Sequence, residues 1–343
     1  MGRVSAGNIT KVKNLDWKTF LEAIKVLNLA DEKISAIKIE FLNAEYFINC
    51  LANAYELQSE IPLINVDSTF GSKREDCDLY YDSKDITINI SQKFIYKYFV
   101  NSNSSDLEKN RNEFLWGIAH EFFHHGRNHI AIWNHFGIKE NDASSQYNHI
   151  LRFLEDDADR LATKALYRHF IFYIYIGLKP YDVKLKVLNV LFNTIRIKIY
   201  NAKNSVATKH PAWATRLYSQ IIELSEIDNT KNDLQNPDVR VTEQTYKEQI
   251  LLTNELIKME NVYGDSFDLN SYYFKPVEFP NEDEVLSKFF RDNPSYHATQ
   301  LSLDLYYLNE TAKEIEVFLK TNCNLPGLSD PKRQWQPEYM EQI

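Results

Sequence analysis

The sequence predicts a mostly helical α+β protein with one small sheet. Apolar residues recur at helical spacing through most of the chain, and short β-type runs occur only within residues 61–90. The composition is that of a globular protein, 44% hydrophobic and 25% charged. At 343 residues the chain is long for one domain. We therefore predict a helical N-terminal segment (1–59), a core (60–227) and a helical C-terminal region (228–343).

Charge and cysteine usage limit the class of protein. The net charge of −9 argues against a nucleic-acid-binding surface as the main function. Three widely spaced cysteines, Cys50, Cys77 and Cys323, indicate a reducing compartment without a disulfide framework. The N-terminus lacks a secretory h-region, and the longest apolar run, Phe170–Leu178, is too short to span a bilayer. We expect a soluble, cytoplasmic protein.

The first 90 residues predict two helices followed by the sheet. Apolar residues at helical spacing favour helices at 16–29 and 31–57, and a short β-type run follows at 61–66. Two further runs, 77–81 and 85–90, flank a polar tripeptide and predict a β-hairpin. In the second of these, isoleucines alternate with polar residues, which is typical of a half-buried strand.

The next helix carries the sequence His120-Glu121-Phe122-Phe123-His124. Histidines four residues apart lie on one helix face, so both imidazoles can bind one metal ion. Glu121 lies about 100° further round the helix, where it can act on a water molecule without binding the metal. These are the parts that zinc-dependent hydrolysis needs. The alternative is a pair of satisfied core histidines beside a solvent-facing glutamate.

The surroundings of this motif predict where its helix begins and ends. Ser105-x-x-Glu108 has the spacing of a capping box, and Gly126 is placed to stop the helix. Five apolar residues form its predicted buried face: Phe114, Leu115, Ile118, Ala119 and Phe122. His129 follows the predicted stop, so its position is not constrained and it remains a competing metal ligand.

A second informative helix is predicted from Tyr147 to Phe170. One helical stripe contains four residues at spacings of four, three and four: Leu151, Glu155, Ala158 and Ala162. A carboxylate on an apolar stripe needs a cation, which a metal held by two histidines would supply. A salt bridge from Glu155 to Arg or Lys is the alternative. Asp159 lies beside Glu155, whereas Asp156 and Asp157 are predicted to face solvent.

The remainder of the chain predicts scaffold helices. Residues 171–200 predict two apolar helical segments with a break near 177–180. Pro211 fits the first turn of a further helix, and His210 precedes it. Beyond a polar stretch at 228–238, helices are predicted at 242–262 and, with an interruption near Asn293-Pro294, at 282–320. This C-terminal region could recognise a partner.

Together these stretches resemble the gluzincin metallopeptidases, most closely the heat-shock and prenyl-protein endopeptidase family and its soluble minigluzincin relatives. The His-Glu-x-x-His motif at 120–124 matches that family's active helix. The run at 155–159 matches its Glu-x-x-Ala-Asp, and His210-Pro211 with Arg216 matches its His-Pro-x-x-x-x-Arg. The resemblance implies a zincin-like core, and it covers roughly residues 60–225.

The resemblance also implies roles for individual residues. The implied zinc ligands are His120, His124 and Glu155. Glu121 would be the general base. Asp159 would orient one of the zinc ligands without itself binding the metal. His210 and Arg216 would lie near the site and position substrate or stabilise an oxyanion.

The expected function is zinc-dependent hydrolysis of peptide bonds in a selective intracellular protein target. We predict that the strand at Asp85–Ser91 is an edge that binds the substrate as an extended strand; an ordinary sheet strand is the alternative. A weaker similarity to phage-exclusion and repressor-cleaving metallopeptidases suggests a latent effector of phage defence or stress response, with Cys77 able to block zinc as a thiolate. A non-catalytic zinc-site regulatory protein that works through its C-terminal helices is the remaining alternative.

Overall fold

The computed structural model describes residues 17–25, 27–67, 79–100, 106–138, 148–198, 212–227, 243–264, 268–276, 288, 299–322 and 324. Several predicted features lie outside these residues, including Cys77, Ser105, His210, Pro211 and the stretch 228–238. The chain divides into two compact units. The first unit comprises Met1–Gly137 and Phe318–Ile343, and the second comprises Ile138–Val317.

In its described residues, the first unit combines five α-helices with one small sheet. In chain order its elements are α1 (Trp17–Lys25), α2 (Asp31–Ala54), β1 (Leu63–Asp67), β2 (Leu79–Asp82), β3 (Thr87–Ser91), α3 (Gln92–Ile95), α4 (Leu107–Gly126) and α5 (His129–His135). A π-helical segment, Tyr96–Val100, follows α3. The prediction of a mostly helical α+β chain is thereby confirmed. Helices α1 and α2 end a few residues earlier than their apolar patterns predict.

The three strands form a sheet in the order β1-β3-β2. Strand β3 is parallel to β1 and antiparallel to β2, so the predicted hairpin is present as β2–β3. The prediction that Asp85–Ser91 forms a substrate-binding edge is wrong, because β3 is paired on both sides. Ile88 and Ile90 are fully buried and Asn89 between them is also buried, as expected for a central strand.

Helix α4 buries all five apolar residues of its predicted face. It begins at Leu107, and its N-cap residue Asp106 makes no side-chain capping bond. The prediction that Gly126 stops the helix is wrong, since Gly126 is the last helical residue and the left-handed residue is Asn128, with φ 55°. The Gly126 carbonyl instead accepts a 2.9 Å bond from the backbone N–H of Asn324. A partner distant in the sequence therefore satisfies this helix end.

The described part of the second unit consists of helices and short connections, without a strand. Its helices are α6 (Asn148–His169), α7 (Pro180–Leu191), α8 (Trp213–Glu226), α9 (Glu243–Tyr263), α10 (Leu269–Phe274) and α11 (Gln300–Asn322), the last turn of which belongs to the first unit. Phe170–Ile174 and Phe192–Lys198 are π-helical. The predicted break at 177–180 is confirmed, with Gly177 at φ 91°. Within the described residues, we find no helix with the length and apolarity required to cross a membrane.

Candidate metal centre

Helix α4 presents the two histidines of the His-Glu-x-x-His motif side by side. The Nε2 atoms of His120 and His124 are 3.0 Å apart. Two nitrogen ligands at a tetrahedral zinc ion lie about 3.3 Å apart, given Zn–N distances of about 2.0–2.1 Å. His120 is buried and His124 half-buried. The four-residue spacing therefore gives two imidazoles whose nitrogens lie close to the separation that a shared metal requires.

Glu155 of α6 is the third member of this group. One ligand atom from each of His120, His124 and Glu155 lies within 4.8 Å of the other two. These three side chains could therefore hold a metal ion. Two imidazole nitrogens and one carboxylate oxygen form the ligand set of several zinc hydrolases, whereas calcium and magnesium sites use oxygen ligands. The donor chemistry thus fits a transition metal ion, zinc among them, better than calcium or magnesium.

His129 contacts His124 on the side away from this group. The Nδ1 atoms of the two rings are 2.8 Å apart, and His129 is only 3% exposed. The two nitrogens of the His124 ring point in different directions, Nε2 towards His120 and Nδ1 towards His129. The sequence left His129 open as a third ligand, but the structure places it against Nδ1 of His124, and it is not a member of the group.

Glu121 is held by strand β2. Its Oε2 atom accepts a 2.8 Å hydrogen bond from the backbone N–H of Tyr81. Tyr81 lies opposite Ile88 of β3, and alternate residues of an antiparallel strand direct their backbone groups away from the partner strand. The Tyr81 N–H therefore points outward from β2, and Glu121 lies at that outer edge.

His125 anchors the same strand, a role that sequence reasoning missed. Its Nε2 lies 2.8 Å from both Ser59 Oγ and the Glu60 carbonyl oxygen, and its Nδ1 lies 2.7 Å from the Tyr81 hydroxyl. A carbonyl only accepts, so Nε2 carries the proton and Tyr81 donates to Nδ1. Burial lowers the pKa of His125, which keeps the ring neutral. Burial also raises the pKa of Tyr81 to about 12.

Asp159 and Arg216 form a buried ion pair. The Arg216 Nε and Nη2 atoms donate to the two Asp159 carboxylate oxygens at 2.6 and 2.8 Å. Asp159 is 0% exposed and Arg216 is 4% exposed. Burial lowers the pKa of Arg216, but Asp159, with a smaller contribution from Glu155, raises it above its ordinary value. The structure thus pairs Arg216 with Asp159, which lies one helical turn after Glu155 in α6.

Asp156 departs from its predicted position. It was predicted to face solvent, yet it is only 5% exposed, so that prediction is wrong. Burial raises the pKa of Asp156 to about 6, although Arg160 and a hydrogen bond with Ser219 oppose the rise. Helix α8 packs on α6 and covers this side, where Arg160 also pairs with Glu223 at 3.0 Å.

The group that could hold a metal ion thus comprises His120, His124 and Glu155, and Glu121 follows His120 in the sequence of α4. Of the other predicted site residues, Asp159 and Arg216 are paired with each other, and His210 lies outside the described residues. Comparison of the chain with protein-family models gives no match, and comparisons with curated proteins and with solved structures also give none.

Proposed function

We propose that this protein is a zinc-dependent endopeptidase of the gluzincin type, with zinc held by His120, His124 and Glu155. The observation that carries the proposal is the three-residue ligand group with Glu121 next to one of its members on α4. When bound, zinc would polarise a carbonyl oxygen and lower the pKa of a water molecule.

Glu121 supplies the proton transfers in this reaction. It accepts a proton from the water molecule whose oxygen bonds to the scissile carbonyl carbon. As the carbon–nitrogen bond breaks, Glu121 donates the proton to the leaving amine. The Tyr81 N–H holds one carboxylate oxygen, which fixes the orientation of the group before substrate arrives.

The outer edge of β2 provides a place for the substrate. Strand β3 has a strand on each side, whereas β2 has one partner strand among the described residues. By the alternation of an antiparallel ladder, the backbone groups of Leu79 point outward together with those of Tyr81. An extended peptide could add to this edge beside Glu121. The binding mode is the one predicted from the sequence, in which the substrate binds as an extended strand. The strand that it would pair with is β2 instead of β3.

Comparison of protein N-termini in a cell lysate tests the proposal. We expect the zinc-loaded wild-type protein to create a small, discrete set of new N-termini. Glu121→Gln should create none of them, and a chelator should suppress them. Glu108→Gln, an exposed position in the first turn of α4, is the matched control and should cleave like the wild type. If Glu121→Gln created the wild-type set of N-termini, the proposed mechanism would be contradicted.

A further inference from the structure

We propose that His129 is a positioning residue for the metal ligand His124, accepting a hydrogen bond from its Nδ1–H and so selecting the tautomer that can bind metal at Nε2. This inference rests on the proposed metal centre and concerns a residue that the gluzincin motifs do not include. Its evidence is the 2.8 Å separation of the two Nδ1 atoms and the burial of the His129 ring.

The backbone places His129 where it can make this contact. Helix α4 ends at Gly126, and Asn128 adopts a left-handed conformation with φ 55° and ψ 44°. This left-handed residue separates the two helices, and α5 begins at His129. The Asn128 side chain donates a 3.0 Å bond to the Asn322 carbonyl, which holds the turn in place. The His124–His129 contact is therefore built into the connection between two helices.

The direction of the hydrogen bond decides whether His124 can bind metal. A neutral imidazole carries one proton, so a His124 ring protonated at Nδ1 presents a lone pair at Nε2. That lone pair faces His120, on the side of the ligand group. If His129 donated instead, the His124 proton would lie on Nε2 and would block coordination. A hydrogen-bond acceptor at His129 therefore selects the His124 tautomer that can bind metal at Nε2. Carboxylates and carbonyls do the same for other metal-bound histidines when they accept from the ring nitrogen that is not bound to the metal.

The same geometry separates this role from direct ligation. One imidazole ring cannot direct both of its nitrogens at a single metal ion. Because His129 contacts Nδ1 of His124 and the ligand group lies at Nε2, a metal in that group is separated from His129 by the His124 ring.

The test measures zinc affinity by competition with a chromophoric chelator. His129→Leu removes the acceptor and should weaken zinc binding by about 10–100-fold, the usual effect of losing a partner behind a metal ligand. His129→Asn places its amide oxygen near the former Nδ1 and should restore most of the affinity. His129→Gln places its amide near the former Nε2 and should not. His135→Leu, an exposed position in the last turn of α5, is the matched control and should bind zinc like the wild type.

A spectroscopic readout separates positioning from general damage. In the metal-free protein, ¹⁵N NMR of the histidine rings should show the His124 proton on Nδ1 in the wild type and in His129→Asn. In His129→Leu this preference should be lost while the circular dichroism stays that of the wild type.

Wild-type affinity in His129→Leu would overturn the inference, as would an Asn variant no better than the Leu or Gln variant. Complete loss of zinc from all three would also overturn it, since His129 would then be a ligand itself. Absence of zinc from the wild-type protein is a different result, because it refutes the proposed function on which the inference rests. Should His129→Leu fail to fold, the ranking of Asn above Gln decides the question.

Discussion

At the residue scale, neighbouring side chains on α4 contact different groups and have different roles. His124 belongs to the ligand group, while the adjacent His125 bonds to Glu60 and Tyr81. Consecutive helical residues point about 100° apart, so two adjacent histidines cannot serve one metal ion. Glu121 accepts a hydrogen bond from the Tyr81 N–H and is not a member of the ligand group, which agrees with a role in proton transfer.

We predict that Glu121→Gln retains its zinc and its fold while cleavage falls by about 10²–10⁴-fold, the usual contribution of a general acid–base. The glutamine oxygen can still accept the bond from the Tyr81 N–H, so the local structure is preserved. Zinc content and cleavage rate are measured on the same preparation. A variant that loses zinc would show that Glu121 is a ligand.

The identities of the ligand group follow from short-range spacing, which the sequence displays directly. The positions four residues apart on α4 and the apolar stripe of α6 both depend on helix geometry alone. The partners of His125 could not be predicted in this way, because Tyr81 and Glu60 lie 44 and 65 residues away in the chain. The burial of Asp156 was missed for the same reason, since α8 rather than α6 itself covers it.

At the element scale, the Asp159–Arg216 pair joins α6 to α8. Both groups are buried, and the bidentate geometry satisfies both oxygens of the carboxylate. Removing one member leaves the other as an uncompensated buried charge, which costs far more than the intact pair contributes. The pair thus holds Glu155, which lies one helical turn before Asp159, in a fixed helix.

We predict that Asp159→Ala lowers the free energy of unfolding by about 3–5 kcal/mol. The double variant Asp159→Leu/Arg216→Met should recover most of this loss, because it leaves no buried charge. Urea unfolding of the single and double variants measures the effect, with the half-buried neighbour variant Asp157→Ala as the control. A loss below about 0.5 kcal/mol for Asp159→Ala would contradict the structural role of the pair.

The sequence predicts the β2–β3 hairpin but not the order of the three strands in the sheet. The sequence predicts β2 and β3 as a hairpin because both strands and their turn are local. The place of β3 at the centre depends on its pairing with β1, which lies more than 20 residues away. An alternating pattern records which face of a strand is buried and carries no information on which edge is paired.

At the scale of the whole molecule, stability depends on buried groups with opposite responses to acid. Burial lowers the pKa of His169 to about 4, while burial raises the pKa of Asp156 to about 6. The stability supplied by neutral His169 is present above its unfolded pKa of about 6.5 and is lost as the pH falls towards 4. For Asp156 the folded state binds the additional proton, so its contribution to stability is lost as the pH rises through 6.

We predict that these two responses partly offset each other between pH 6.5 and pH 4. His169→Phe should lose less stability than the wild type on acidification, and Asp156→Asn should lose more. Urea unfolding at a series of pH values in this window gives the slopes, with the exposed His149→Phe as a control. Parallel slopes for all variants would show that neither group titrates differently in the folded and unfolded states.

The proposed function requires the metal centre, and the metal content of the purified protein tests it most directly. We predict about one zinc ion per chain, by elemental analysis, in protein prepared without chelator or affinity-column metal. Glu155→Ala and His120→Ala should each lose the zinc at neutral pH, while Asp157→Ala should retain it. A wild-type protein without a transition metal, or a Glu155→Ala variant with a full complement of zinc, would contradict the proposed metal centre.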